Sequence, residues 1–255
     1  MHFRINLIMP PNTEHIPNLP GGGGDENIDI ETPRRDYSYL YDLIKGVAIV
    51  WGMNIITNVA GIFAIKYNLI GDILFMFLAT AIIILTSFCV SVYFVCVRRG
   101  KSLLDGFSIT PVRFLLWLIY ILGAVVLSLV LNSFEPETLK QDSILYQILS
   151  TKSGKIAVAA LIPFASIVEE LYYRGFIFPI LLRYLSPTVS ILIVSLWFSA
   201  AHIVEYGGNI FAIFAVFILR LILTLERYYT KSLTPSLITH FFFNSTTMAM
   251  VFLMT

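Results

Sequence analysis

The sequence predicts an all-α protein: a polytopic transmembrane helix bundle of about seven spans, ending in a C-terminal four-helix core. Three observations predict it. Of 255 residues, 57% are hydrophobic and 13% charged, with a mean hydropathy of +0.81, which lies outside the range of chains that fold in water. The apolar residues run in stretches of about 20, the length that crosses ~30 Å of hydrocarbon. The few ionisable residues inside those stretches are grouped in the second half of the chain rather than scattered.

In chain order, residues 1–40 read as a disordered polar tail, with Pro10, Pro11, Pro17 and Pro20, then Gly21 to Gly24, then the acidic stretch Asp25 to Glu31. Arg4 and Asn6 interrupt Met1 to Met9, so no signal-peptide core forms there and the first span is expected to act as an uncleaved anchor. The seven spans fall at roughly 43–65, 71–97, 112–132, 156–182, 187–206, 209–229 and 235–254. Three helix starts are expected at Thr110-Pro111, Ser186-Pro187 and Thr234-Pro235, where a capping hydroxyl precedes a proline whose missing N–H costs nothing. Pro163 and Pro179 fall within or near the end of the fourth span and predict a kink there. Residues 41–154 form an N-terminal membrane region with an external loop of mixed charge at 133–155, and 155–255 form the C-terminal membrane domain. Gly46, Gly52 and Gly61 are expected to permit close helix approach, and Asn54 and Asn58 to hydrogen-bond between helices.

Arg34, Arg35, Lys45, Arg98, Arg99, Lys101, Arg113, Arg183, Arg227 and Lys231 all fall on one side of a seven-span chain with its N-terminus inside. That places the protein in a cytoplasmic membrane with the C-terminus out. A formal net charge of +1 gives no clustered basic surface for nucleic acid, so that class of partner is excluded. Cys89 and Cys96 are seven residues apart in one apolar run, about 10 Å along a helix, too far for a disulfide. There is no internal repeat of the kind that builds many transporters.

The chemistry concentrates in three spans. The fourth carries Glu169, Glu170 and Arg174; Glu170 and Arg174 are i and i+4, the spacing at which a carboxylate meets a guanidinium on one helix. Neighbouring residues point about 100° apart, so the two glutamates are expected to face different points, with Glu169 left to line a cavity as a general base toward water. The fifth span carries Phe198 and His202, the seventh His240 and Asn244, each pair again one turn apart. A carboxamide beside an imidazole suits stabilisation of a developing oxyanion without adding charge. Arg220 either snorkels or pairs with a site carboxylate, and Glu226 has no assigned partner.

At these residues the sequence resembles the CAAX protease and bacteriocin-processing (CPBP/Abi) family of intramembrane endopeptidases, the CAAX prenyl protease 2-like group. Its signature of Glu-Glu-x-x-x-Arg, Phe-x-x-x-His and His-x-x-x-Asn on successive membrane helices is met in order by Glu169, Glu170 and Arg174, by Phe198 and His202, and by His240 and Asn244. The resemblance covers about 155–254. It implies that Glu169 and His202 hold and deprotonate a water, that His240 and Asn244 stabilise the oxyanion, and that Glu170, Arg174 and Phe198 support them. It also implies a membrane-tethered peptide or protein substrate, in CAAX-type processing, peptide maturation or bacteriocin self-immunity, in the plasma membrane of a prokaryote. No cofactor is expected; the alternative is a divalent metal such as zinc on Glu169, His202 and His240, although His-Glu-x-x-His is absent.

Two other function classes compete: a non-catalytic immunity or scaffold protein that keeps the fold, and a proton-coupled transporter using Glu and His as a relay. The peptidase reading carries a geometric requirement. If spans four and five began flush with their membrane faces, Glu169 and His202 would differ in depth by ~15 Å. Tilt, a kink at Pro163 or extension of span five toward Gly207-Gly208 must remove that offset.

Overall fold

The computed structural model describes residues 37–67, 71–133, 151–203, 206 and 209–254. Nearly all of the expected polar tail and residues 134–150 of the expected external loop lie outside the described residues. Every regular element within them is helical: α1 (Ser38–Lys66), α2 (Asp72–Val95), a 3-10 turn (Val97–Arg99), α3 (Leu103–Phe107), α4 (Phe114–Ser133), α5 (Lys152–Glu170), a π-helical segment (Leu171–Ile177), α6 (Phe178–Tyr184), α7 (Pro187–Ala201), α8 (Ile210–Thr230) and α9 (Thr234–Met254).

Three stretches, Ser38–Ala64, Phe77–Arg99 and Phe114–Leu131, are long and apolar enough to cross a membrane, and a fourth is added if Lys152–Ala159 and Phe164–Tyr184 act as one bent span. α7 has 15 residues and ends at Ala201, short of the expected 206, and α8 carries Arg220, Glu226 and Arg227 within its 21 residues. The burial pattern is inverted relative to a water-soluble protein. Ile55, Ile62, Leu85, Leu115 and Leu122 are exposed on α1, α2 and α4, whereas Glu170, Arg174, Arg220 and His240 are buried. Apolar surface of that extent facing outward is stable against lipid and not against water. The chain is an integral membrane protein.

α1 packs along α2, α4 along α9 and α7 along α8; α9 and α2 both reach α5. This leaves the α5–π–α6 rod at the centre, where Phe94, Tyr172, Phe176 and Phe198 belong to one buried cluster. The rod is bent by 42° across residues 160–163, where Pro163 contributes no N–H to the helical ladder. Pro179 instead sits in the first turn of α6, directly after the π-helical segment. There the Phe178 N–H donates to Tyr173 O, five residues back, so the extra residue of the wider turn is absorbed just before the proline. All seven residues of the π segment are buried.

Arg98, Arg99 and Arg183 gather at the start of α1. Asp42 at the start of α1 is ion-paired with Arg98 Nε (3.1 Å) and accepts a hydrogen bond from Arg99 Nη2 (2.8 Å), and the Arg99 and Arg183 guanidinium carbons each lie 3.7 Å from the Tyr39 ring. Ser108, Leu182, Arg227 and Lys231 line one cavity, which joins the ends of α6 and α8 to the α3–α4 linker.

Several local expectations are corrected. Ser186 caps α7 as expected, its Oγ accepting from the Val189 N–H. α9 begins at Thr234-Pro235 as expected, but the Thr110-Pro111 start is not used, because α4 begins at Phe114. Thr110 and Thr234 serve instead as a strap, with Thr234 Oγ1 donating to Thr110 O (2.7 Å), and Ser232 Oγ accepts from the Thr234 N–H. Tertiary bonding outcompetes local capping here because the Thr234 hydroxyl meets the Thr110 carbonyl and the Thr110 hydroxyl donates to Ser232 Oγ (2.8 Å), both across the two linkers. Asn58 Nδ2 donates to Asn54 O and Oδ1 within the same helix, not between helices. Gly46 and Gly61 are close-approach sites, against Phe176 and Phe75, but nothing lies within 4 Å of where a Gly52 Cβ would be. Cys89 and Cys96 are free thiols.

Gly175 follows Arg174 in the π segment, and a Cβ there would overlap the ring of Phe107, which is fully buried. Gly175→Ala is therefore expected to destabilise the fold by about 1–3 kcal/mol through overpacking, read as a lower Tm in detergent, while Gly52→Ala leaves Tm within about 0.5 kcal/mol equivalent.

Candidate active site

The site is assembled where α5 runs into the π segment. Glu170 and Arg174, one turn apart, form a fully buried ion pair (Oε1 to Nη1, 3.0 Å). Arg174 also donates from Nη2 to Arg220 O (3.0 Å) and from Nε to Thr224 Oγ1 (3.2 Å), so one guanidinium ties α5 to α8. Thr224 is held in turn, donating its hydroxyl to Arg220 O (2.7 Å). The chain thereby satisfies a fully buried charge with three acceptors, the condition under which burial is tolerable.

His240 on α9 meets both glutamates. Its Nδ1 lies 2.9 Å from Glu170 Oε1 and its Nε2 3.5 Å from Glu169 Oε2. This corrects the expectation that adjacent glutamates serve separate points. The 100° between them is real, but a planar ring bridging toward the helix is reached by one carboxylate at each nitrogen. Nor is Glu169 without a charged partner: Arg220 Nη2 is 3.5 Å from its Oε2. Of the two readings open for Arg220, pairing with a site carboxylate is the one found. Its Nη1 lies 2.7 Å from His240 Nε2 and 3.8 Å from Glu170 Oε1, and its guanidinium carbon stacks 3.5 Å from the Phe198 ring.

Phe198 is the hub that brings α7 to this cluster. Its ring stacks on His202 (4.5 Å between centroids, 13° between planes) and meets His240 edge-on at 6.5 Å. His202 is the C-terminal cap of α7, and its Nδ1 lies 2.9 Å from Phe198 O. A carbonyl can only accept, so Nδ1 carries the proton and Nε2 is the acceptor face of a neutral ring. The charged groups acting on His202 are Glu169 and Arg220. Extension of α7 as a helix toward Gly207-Gly208 is not the device that brings His202 in; the bend in α5 is present, and α7 stops at its histidine.

Asn244, one turn beyond His240, donates from Nδ2 to Ser166 Oγ (3.0 Å) and lies 3.1 Å from His240 Nε2. Glu226, which sequence reasoning could not place, accepts from Thr239 Oγ1 (2.9 Å). Sequence reasoning missed Ser166 and Thr224 and left Arg220 undecided. Ser166 had a signal, since it lies one turn before Glu170 on the same helix; Thr224 lies one turn after Arg220.

Among the described residues no group of three His, Cys, Asp or Glu side chains is arranged to hold a metal ion. The physical reason is Arg220: its guanidinium occupies the position between Glu169, Glu170 and His240 that a cation would need. The donors present do not fit zinc.

Residues 151–246 match the family model of the Rce1-like type II CAAX prenyl endopeptidases. Over this segment the chain is similar to that family. The Rce1-like segment contains every side chain of the cluster, from Ser166 to Asn244, and the family is one of proteases. No curated protein and no solved structure matches the chain.

Proposed function

We propose that this protein is an intramembrane glutamate-type endopeptidase that hydrolyses a peptide bond of a membrane-associated peptide or protein. The observation that carries the reading is a difference between two adjacent carboxylates. Glu170 is fully buried, bonded to Arg174 and His240, whereas the Glu169 side chain is 27% exposed at the edge of the same cluster. Glu169 is the acid that water can reach, and Glu170 is the acid that holds the helices.

In this reading Glu169 removes a proton from a water that His202 holds by accepting a hydrogen bond at Nε2, and the resulting hydroxide attacks the scissile carbonyl. Glu169 then returns the proton to the leaving amine. Asn244, backed by the fully buried His240, stands on the side of the cleft on which charge develops on the carbonyl oxygen, and Glu170, Arg174 and Phe198 keep the pair in place. Residues 155–255 would be the catalytic membrane domain with a four-helix core, and 41–154 the N-terminal helices, in a seven-span chain whose basic end faces the cytoplasm of a prokaryote.

The test is cleavage of a membrane-tethered peptide by the purified full-length protein in liposomes, followed by mass spectrometry. Wild type is expected to release a fragment, and His202→Ala to lower kcat by about 10²-fold or more. Equal biological activity of wild type and His202→Ala, with no fragment from either, would make the protein a non-catalytic immunity or scaffold component; solute flux without cleavage would make it a transporter.

A further inference from the structure

We propose that the cavity at the basic end of the bundle, between α6, α8 and the α3–α4 linker, binds the phosphate headgroup of an anionic phospholipid. The cavity measures about 250 Å³, and its lining joins two cations and a hydroxyl, from Arg227, Lys231 and Ser108, to the apolar side chains of Phe178, Pro179 and Leu182. No carboxylate is among the described residues that line it.

Both cations lack a counter-ion among the described residues. Arg227 donates from Nε to Arg174 O at 3.4 Å, and its two terminal nitrogens meet no protein acceptor there; the Lys231 ammonium rests 4.1 Å from the centre of the Tyr228 ring. The carboxylate next along the chain, Glu226, is turned to Thr239 Oγ1 on α9. The Ser108 backbone oxygen accepts from the Leu233 N–H (3.0 Å), while its hydroxyl makes no hydrogen bond among the described residues. A phosphate ester supplies what this lining lacks, a negative charge for two cations and acceptor oxygens for a guanidinium fork, an ammonium and a hydroxyl. Arg227 and Lys231 are four residues apart, a spacing at which like charges on a helix repel. Their place at the end of α8 offsets part of that cost, but does not account for a hollow that the same two cations share with Phe178, Pro179 and Leu182.

Depth selects the source of the phosphate. Arg183 on α6 follows the lining residue Leu182, and it stacks on Tyr39 together with Arg99. Tyr39 lies at the start of the membrane-length stretch Ser38–Ala64, and Arg99 closes the stretch Phe77–Arg99. The cavity therefore sits at the level of lipid headgroups, where a basic pocket between membrane helices meets phosphodiesters. A soluble phosphate would use the cations alone; a phospholipid uses the apolar lining as well. Because Arg227 also touches the carbonyl of Arg174, the partner of Glu170, an occupied cavity braces the π segment.

The experiment uses the full chain in detergent, with dioleoyl phosphatidylglycerol and dioleoyl phosphatidylcholine added in equal amounts and the retained lipid read by native mass spectrometry. Wild type is expected to prefer phosphatidylglycerol by about tenfold or more, the effect of two cations at one headgroup. Arg227→Gln with Lys231→Gln should bring that preference close to unity. Lys45→Gln with Lys101→Gln removes the same charge from exposed positions outside the cavity and should leave the preference intact. Phosphatidylglycerol should also raise the Tm of wild type but not of the cavity variant, and millimolar inorganic phosphate should raise neither.

A cavity variant that keeps the wild-type preference overturns the proposal, as does a control pair that loses as much, since surface charge alone would then explain the binding. Stabilisation by inorganic phosphate equal to that by phosphatidylglycerol overturns it in favour of a soluble ligand. If the double cavity variant does not fold, Lys231→Gln alone, at an exposed position, carries the comparison with an expected loss of about threefold or more. No arm needs turnover, so the outcome is independent of whether the protein cleaves peptide.

Discussion

Glu169→Gln is expected to lower kcat for a membrane-tethered peptide by about 10²–10⁴-fold, the range for loss of a positioned general base, and to leave the Tm of the detergent-solubilised protein nearly unchanged. The second half of the expectation comes from geometry. Among the described residues Glu169 meets Arg220 and His240 at 3.5 Å, beyond the usual hydrogen-bond range, and it is partly exposed. Arg220 keeps His240 as a neighbour when the carboxylate is neutralised. Glu170→Gln should behave in the opposite way, because its Oε1 is the common acceptor for Arg174 at 3.0 Å and His240 at 2.9 Å in a fully buried site. The pair of substitutions therefore separates an acid used for chemistry from an acid used for assembly, through single-turnover cleavage and thermal unfolding on the same preparations. A stable, inactive Glu170→Gln beside an active Glu169→Gln would reverse the assignment.

The same pair shows what the sequence could and could not reveal. Glu170 with Arg174, Phe198 with His202 and His240 with Asn244 were legible because helical periodicity alone places residues four apart on one face. All three pairings are found, as an ion pair, a ring stack and a hydrogen-bonding contact. What periodicity cannot give is a contact between elements. Arg220 is 46 residues from Arg174, 51 from Glu169 and 20 from His240, so nothing in local spacing told whether it would turn inward.

The convergence of both glutamates on His240 was illegible for a related reason. A helical wheel describes directions from an axis, not the reach of a ring lying across them. The π-helical segment was hidden as well, since the sequence announces a proline but not whether the chain will kink, stop or widen by a residue before it. The Thr234-Pro235 signal marked the start of α9 while the Thr110-Pro111 signal marked none, and both hydroxyls went to bonds between the linkers. Of the fold, the all-helical class and the membrane setting were open to reading from composition; the number of crossings was not, because α8 trades apolar residues for Arg220, Glu226 and Arg227 that serve the interior.

Arg174→Met is the substitution expected to cost the fold most. Arg174 is the largest fully buried side chain, and its three donor groups reach Glu170, Arg220 O and Thr224. Methionine fills much of the volume but returns none of those bonds, so Glu170 becomes a buried carboxylate whose nearest remaining cation, Arg220, is 3.8 Å away. Removing one partner of a buried ion pair costs about 3–5 kcal/mol, since the orphaned charge keeps its desolvation penalty and loses its compensation. Water cannot enter to relieve it as freely as at a protein surface, because both side chains of the pair are fully buried between helices. The double variant Glu170→Gln with Arg174→Met removes both charges and should recover a substantial part of that loss, a coupling that two independent sites would not show. Thermal unfolding of the two single variants and the double, in one detergent, measures it. A single Arg174→Met that melts with the wild type would mean the Glu170 carboxylate is solvated, and with it would go the distinction between a sealed structural acid and a reachable catalytic one.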